Sequence, residues 1–255
     1  MLFNCIYFCN MVSGDVLTTL LKRNSHLFSK VVQFDVLKDK LLLMDFTAAN
    51  NYQLSDVIND TEAFSNYVKH LLQKNQSSYG IGGYAEHRTI YARSDIFNND
   101  KLKVTTGSKA VEPRRLHLGI DIWGAVCTPV YVPLGGVVHS FAFNNNYGDY
   151  GATIILQHQL EGVVFHTLYG HLSLKDLAKL RDGKFVSQGE IIGHFGLPHE
   201  NGHWPPHLHF QLIKDMRVMK GDYPGVCKFS EREQYLHNCP NPDLILQMMQ
   251  YASEA

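Results

Sequence analysis

The stretch Pro205-Pro206-His207-Leu208-His209-Phe210-Gln211-Leu212 decides how this chain is read, because polar and apolar residues alternate along it. Side chains of a β-strand point to opposite faces in turn, so His207, His209 and Gln211 fall on one face and Leu208, Phe210 and Leu212 on the other, toward a core. Two imidazoles on one face of a strand can share a metal, although such pairs are more often hydrogen-bonded core or rim residues. A second alternating stretch, Leu116-His117-Leu118-Gly119-Ile120-Asp121-Ile122, puts His117, Gly119 and Asp121 on one face. A neutral imidazole, a carboxylate and a second imidazole are the ligand types of a catalytic zinc, which takes three protein ligands and keeps a fourth position for water. A third stretch, Tyr169-Gly170-His171-Leu172, ends the apolar run that starts at Val163. Alternation sets His171 on one face with Phe165, Thr167 and Tyr169.

In that order HxxxD, YGHL and HLHF resemble the M23 family of zinc metallopeptidases, the lysostaphin-like or LytM-type endopeptidases, from roughly Arg115 to Ile213. The resemblance implies Zn2+ held by His117, Asp121 and His209, with His171 and His207 as catalytic histidines outside the ligand set. It also implies a peptide substrate, most naturally a peptidoglycan stem or cross-bridge. His207 reads as the base because it sits two residues from a ligand on one strand, with exchange of roles with His171 left open. Gln211 reads either as an orienter of a ligand imidazole or as a solvated strand residue. Asn201–His207 and Tyr223–Val226 further resemble the M23 domains fused to class III aminotransferases. The bulky loop Leu197–Pro206 departs from the glycine, serine and threonine loop of the cell-wall enzymes, so an intracellular metallohydrolase and a non-catalytic M23-like binding or regulatory module stay open as alternatives.

With 255 residues and 45% hydrophobic content the chain can bury a sizeable core. A net charge of -1 without any Lys/Arg run argues against nucleic acid or an anionic membrane as main partner. Five cysteines, an odd number with no CxxC pair, point to reduced thiols. The apolar opening Met1–Cys9 lacks a basic segment and a small-residue cleavage site, and it is too short to span a bilayer. The expectation is therefore no membrane span and a cytoplasmic default, with periplasm or cell envelope as the alternative. Oligomeric state is not legible.

The fold expected is α+β: a mainly antiparallel β catalytic domain over 84–225, hammerhead-related, with a small α+β appendage at 1–77 and a helical tail at 226–255. In the appendage, helices are predicted from Ser13 to Arg23 and from Asp60 to Lys74, with a hairpin built from Val31–Phe34 and Leu41–Met44. The glycines of Ser77-Ser78-Tyr79-Gly80-Ile81-Gly82-Gly83 predict a linker or turn, and Glu86-His87-Arg88 with Tyr91 reads as an entry segment, either lining the site or, as is more common, a solvated loop. Strands follow at 129–132, 136–143, 153–158, 163–171, 191–194 and 207–212, with turns at 144–148 and 159–162. Capping boxes at Ser173/Asp176 and Ser230/Glu233 predict two further helices, and Pro242 opens a terminal one.

Two rival motifs need weighing. His199-Glu200-Asn201-Gly202-His203 spells HExxH, but that metal motif works on a helix, and Asn-Gly inside it with prolines around it predicts a loop. Segments 133–138 and 183–193 resemble a lipoyl or biotinyl carrier, yet the lysines between them, Lys175 and Lys179, fall in a predicted helix rather than at a hairpin tip.

Overall fold

A computed structural model describes residues 15–49, 57–98 and 112–254; the apolar opening, with Cys5 and Cys9, lies outside them. Its strands are β1 (Leu41–Leu43), β2 (Tyr79–Gly82), β3 (Leu116–His117), β4 (Ile120–Trp123), β5 (Pro129–Tyr131), β6 (Gly136–Asn144) and β7 (Gly151–Leu160). There follow β8 (Val163–Leu172), β9 (Phe185–Val186), β10 (Ile191–His194), β11 (His207–Ile213), β12 (Val226–Cys227) and β13 (Ala252–Ser253). Among the described residues four α-helices accompany them: α1 (Val16–Arg23), α2 (Thr61–Lys74), α3 (Arg232–Asn238) and α4 (Asp243–Leu246). Among the described residues the main sheet has nine strands in the order β13-β1-β2-β4-β11-β8-β7-β6-β9. It is antiparallel except where β1 runs parallel to β2 and β13. The fold is α+β and mainly antiparallel, as expected.

The long strands β6, β7 and β8 are hairpin-connected. Between β7 and β8, Glu161 (φ 48) and Gly162 (φ 84) form a two-residue turn with both φ positive, the geometry whose twist matches the flanking strands. Strand β11 lies at the centre, between β4 and β8. One of its faces sends Leu208, Phe210 and Leu212 into a core shared with Ile154, Phe165 and Tyr169. Each such side chain contributes about 1.5–3 kcal/mol on burial.

Several local expectations are overturned. Val31–Phe34 forms no strand and there is no hairpin: Leu41–Leu43 pairs in parallel with distant segments, and the Val31 carbonyl accepts from the Tyr131 amide at 2.8 Å. The glycine-rich stretch is no linker, because Tyr79–Gly82 is an interior strand of the sheet. Its glycines serve packing rather than turning: a Cβ on Gly80 would come 2.6 Å from Met44 Cγ, and one on Gly82 2.8 Å from the Met44 carbonyl oxygen. Neither capping box forms. Leu174–Lys179 is a 3₁₀ helix whose Asp176 carboxylate accepts from the His194 amide at 2.7 Å, and Ser230 bonds Glu112 instead of Glu233. The tail is not purely helical, since after α4 the chain returns to the sheet as β13.

Helix α2 forms where predicted, with the Asp60 carboxylate accepting from the Ala63 amide at 2.8 Å. Its Phe64 and Val68 pack into a second core with Phe46, Trp123 and Trp204. Phe64 lies 6.3 Å from the Trp123 ring and 6.5 Å from the Trp204 ring. That aromatic cluster backs one wall of the cavity described next.

Candidate metal centre and active site

The register of the central strands sets the site. His209 pairs with Asp121 on one side and with Gly170 on the other. His117 arrives from a different ladder. The single strand predicted over 116–122 is broken at Leu118-Gly119, so that β3 pairs with β12 while β4 enters the main sheet. Gly119 is required at the break, since a Cβ there would lie 2.5 and 2.6 Å from Cε1 and Nε2 of His209. One ligating atom each from His117, Asp121 and His209 then fall within 4.8 Å of one another, all three residues buried.

Each of these groups has its second polar atom engaged elsewhere. His117 Nδ1 donates to the Gly83 carbonyl at 2.9 Å, which leaves a lone pair on Nε2. Gln211 donates through Nε2 to the Pro224 carbonyl at 3.1 Å, so its Oε1 faces His209 Nε2 at 2.9 Å and accepts from it. His209 therefore turns the lone pair of Nδ1 toward His117 Nε2, 2.9 Å away. Asp121 Oδ1 stands 3.1 Å from His209 Nδ1 and 3.3 Å from His117 Nε2. Two imidazole lone pairs and a carboxylate oxygen facing one another in a buried space repel unless a cation lies among them, and N,N,O donors suit a divalent metal. The residues fit a metal.

The ionisation states agree with this. Burial, with Arg88 beside it, lowers the His117 pKa to about 4, so the ring is neutral at pH 7. Burial opposes ionisation of Asp121, but the Arg88 guanidinium bonded to it offsets this, and the carboxyl lies well below its usual range. At Arg88 the solvated reading of the entry segment fails and the site-lining one holds. Instead of standing in solvent it is fully buried, donating through Nη1 to Asp121 and through Nε to Glu86.

His171 and His207 flank the triad. His207 Nδ1 donates to the Pro205 carbonyl and His171 Nδ1 to the Asn201 carbonyl, each at 2.7 Å, so both keep an Nε2 lone pair. Burial lowers the His207 pKa to about 4 and takes that of His171 well below its ordinary value. Their ring centroids are 4.0 Å apart, and His207 also stacks on Trp123 at 3.9 Å and 16°.

His171 is here for a reason that alternation missed. Ala152 pairs with Leu172 and Ile154 with Tyr169, so Gly170 and His171 together oppose Thr153 alone. This is a β-bulge, with His171 at φ 63, and it turns the ring away from the Tyr169 face toward His209. Asn201, also missed, is fully buried; its side chain bonds both the amide and the carbonyl of Trp204, and its backbone carbonyl accepts from His171. The HExxH stretch that contains it is a turn, as expected, with Glu200 accepting from the amides of Leu197 and Leu174. Of the five groups, Asp121, His171, His207 and His209 line one cavity of about 470 Å³, with Tyr91 and Trp204 on its walls.

Residues 115–221 match the family described as peptidase family M23. An L-Ala--D-Glu endopeptidase of Bacillus subtilis (strain 168) is 31% identical over 108 residues, which make up 40% of this chain and 31% of that protein. The chain thus spans under a third of the length of that curated relative. Among solved structures, the catalytic domain of the antimicrobial peptidase lysostaphin from Staphylococcus simulans is 24% identical with a TM-score of 0.34, covering 48% of this chain and 80% of that one. A zinc containing peptidase from Vibrio cholerae is 26% identical with a TM-score of 0.31, covering 49% and 35%. Among the described residues no helix is long and apolar enough to cross a membrane.

Proposed function

We propose that the protein is a zinc-dependent endopeptidase that hydrolyses amide bonds in short flexible peptides, with peptidoglycan stem or cross-bridge peptides as the substrate class. The observation that carries this reading is the juxtaposition of a buried His-Asp-His donor set, whose Asp121 and His209 line the cavity, with two further histidines of that cavity whose Nε2 lone pairs are free. The M23 match and the name of the Bacillus subtilis relative support the substrate class.

In this reading His117, Asp121 and His209 hold the metal. When bound, zinc lowers the pKa of water to about 7 and polarises a carbonyl. His207 takes the proton of the attacking water at Nε2. The Trp123 face stacked on it favours the cation so formed by about 0.5–2 kcal/mol, and the Pro205 carbonyl fixes the tautomer beforehand. Two imidazolium rings 4.0 Å apart would repel, so the His171/His207 pair carries one proton through the cycle. That proton passes from Nε2 to the leaving amine, which breaks the amide bond. His171 accepts a hydrogen bond at Nε2 while neutral and orients the water. Trp204 and Tyr91 wall the cavity and limit water's access.

Purified sacculi and soluble muropeptides are incubated with zinc-loaded protein and with its His207→Ala variant, and the products are read by mass spectrometry. New amine and carboxylate termini formed only by the unaltered protein support the proposal. No cleavage of either material, by protein whose zinc content is verified, refutes the substrate class.

A further inference from the structure

Within the metal reading, on which this rests, we propose that Arg88 is a positioning residue: it occupies Oδ2 of Asp121 so that the carboxylate offers a single oxygen, Oδ1, to the metal. A carboxylate has two oxygens and about four lone-pair sites, and an unrestrained one can close on a cation through both. Here Arg88 Nη1 donates to Oδ2, while Oδ1 alone faces His117 and His209.

The arginine is held firmly enough for this role. It is fully buried, Nε donates to Glu86, and Nη1 lies 3.4 Å from the Tyr91 hydroxyl. Its backbone amide donates to the Arg115 carbonyl at 2.9 Å, next to the strand that carries His117. Gly82 makes room for the guanidinium, since a Cβ there would lie 3.0 Å from Nη2. A planar fork with charge on both sides keeps its orientation in a way that a lysine ammonium does not.

Electrostatics makes the arrangement informative. A buried cation beside a cation site works against metal affinity, and burying a guanidinium is costly even when it is paired. If Asp121 had only to bind metal, Arg88 would be a handicap. Its presence is accounted for if a single-oxygen contact is what the site needs, because a second oxygen would fill the position where water and the substrate carbonyl enter. By drawing charge from Asp121 it also leaves the metal more electron-poor.

Cobalt(II) serves as the probe, because its visible absorption weakens as coordination number rises. Wild-type protein, Arg88→Lys and the double variant Arg88→Met/Glu86→Gln, which removes both charges together, are loaded with cobalt, with circular dichroism checking the fold. The wild type is expected to bind one cobalt, and X-ray absorption to find one carboxylate oxygen on it. In the double variant cobalt stays bound, the visible extinction falls at least twofold, and kcat drops about ten- to a hundredfold with KM little changed. Arg88→Lys moves the spectrum in the same direction. An unchanged spectrum in a folded, loaded variant overturns the inference, as do two carboxylate oxygens on wild-type cobalt. That last measurement decides the question even if the double variant does not fold. Failure of the wild type to bind cobalt at all refutes the metal reading instead.

Discussion

Gly119→Ala isolates the geometry of the donor set without touching a donor. The added methyl would sit 2.5 Å from Cε1 and 2.6 Å from Nε2 of His209, and 2.8 Å from the Phe210 carbonyl oxygen. Ordinary contact begins near 3.4 Å, so the imidazole must retreat by about 0.9 Å. It has little room: Gln211 holds Nε2 at 2.9 Å, the Tyr150 ring lies at 5.1 Å, and the strand behind is central in the sheet. Metal sites tolerate shifts of about 0.2 Å in ligand distance. Overpacking of this kind costs about 1–3 kcal/mol, or roughly 2–12 °C in Tm for a chain of this size, so the variant folds. Its zinc affinity, from competition with a chromophoric chelator, is expected to fall about ten- to a hundredfold. Gly135→Ala is the control, since its nearest neighbours lie at 3.6 Å. Wild-type affinity in a folded Gly119→Ala protein would refute the claim that this glycine makes room for His209.

Four further outcomes follow from the same contacts. His209→Ala and Asp121→Ala are expected to lose zinc by elemental analysis, whereas His171→Ala and His207→Ala retain it and lose about a hundredfold or more in turnover; zinc loss in either of the latter would make that histidine a ligand. Trp123→Leu removes the stack on His207 and is expected to slow turnover about three- to thirtyfold with metal content unchanged. Burial lowers the pKa of His158 and of His166 from 6.5 to about 4, so the unfolded chain binds protons first. Stability is therefore full above pH 6.5 and is lost as pH falls toward 4, by on the order of 2–3 kcal/mol per histidine; urea melts should show a shallower pH dependence in His158→Gln. Asp60→Ala removes the α2 cap and is expected to cost about 1 kcal/mol in the same melts.

How much of this was legible in the sequence depends on the range of the interaction. Strands β6, β7, β8, β10 and β11 could be read within a few residues, because alternation and turn chemistry are local. So were α2 and its cap. Contacts across long separations were not: a glycine strand looks like a linker until Met44 is packed against it, and Leu41–Leu43 looks like half a hairpin until its parallel partners arrive from 79 and 252. At the site, HxxxD, YGHL and HLHF named the five residues that the fold gathers, but alternation gave His171 the wrong face, because a bulge is one extra residue that composition does not announce.

Arg88 is the sharper case. A charged residue between Glu86-His87 and Thr89 has the local features of a solvated loop. What buries it is the arrival of Asp121 from β4 and the absence of a side chain at Gly82, whose effect is visible only in the assembled sheet. The glycines misread as a linker and the arginine misread as solvated are therefore one error. At the end of β2 the missing side chain of Gly82 leaves the space that Arg88 fills, and the backbone carbonyl of the next residue, Gly83, fixes His117. It follows that bulk introduced at position 82 should disturb Asp121 through Arg88 while leaving the His117 bond to Gly83 intact, so the two arms of the donor set are separable by substitution at the end of β2.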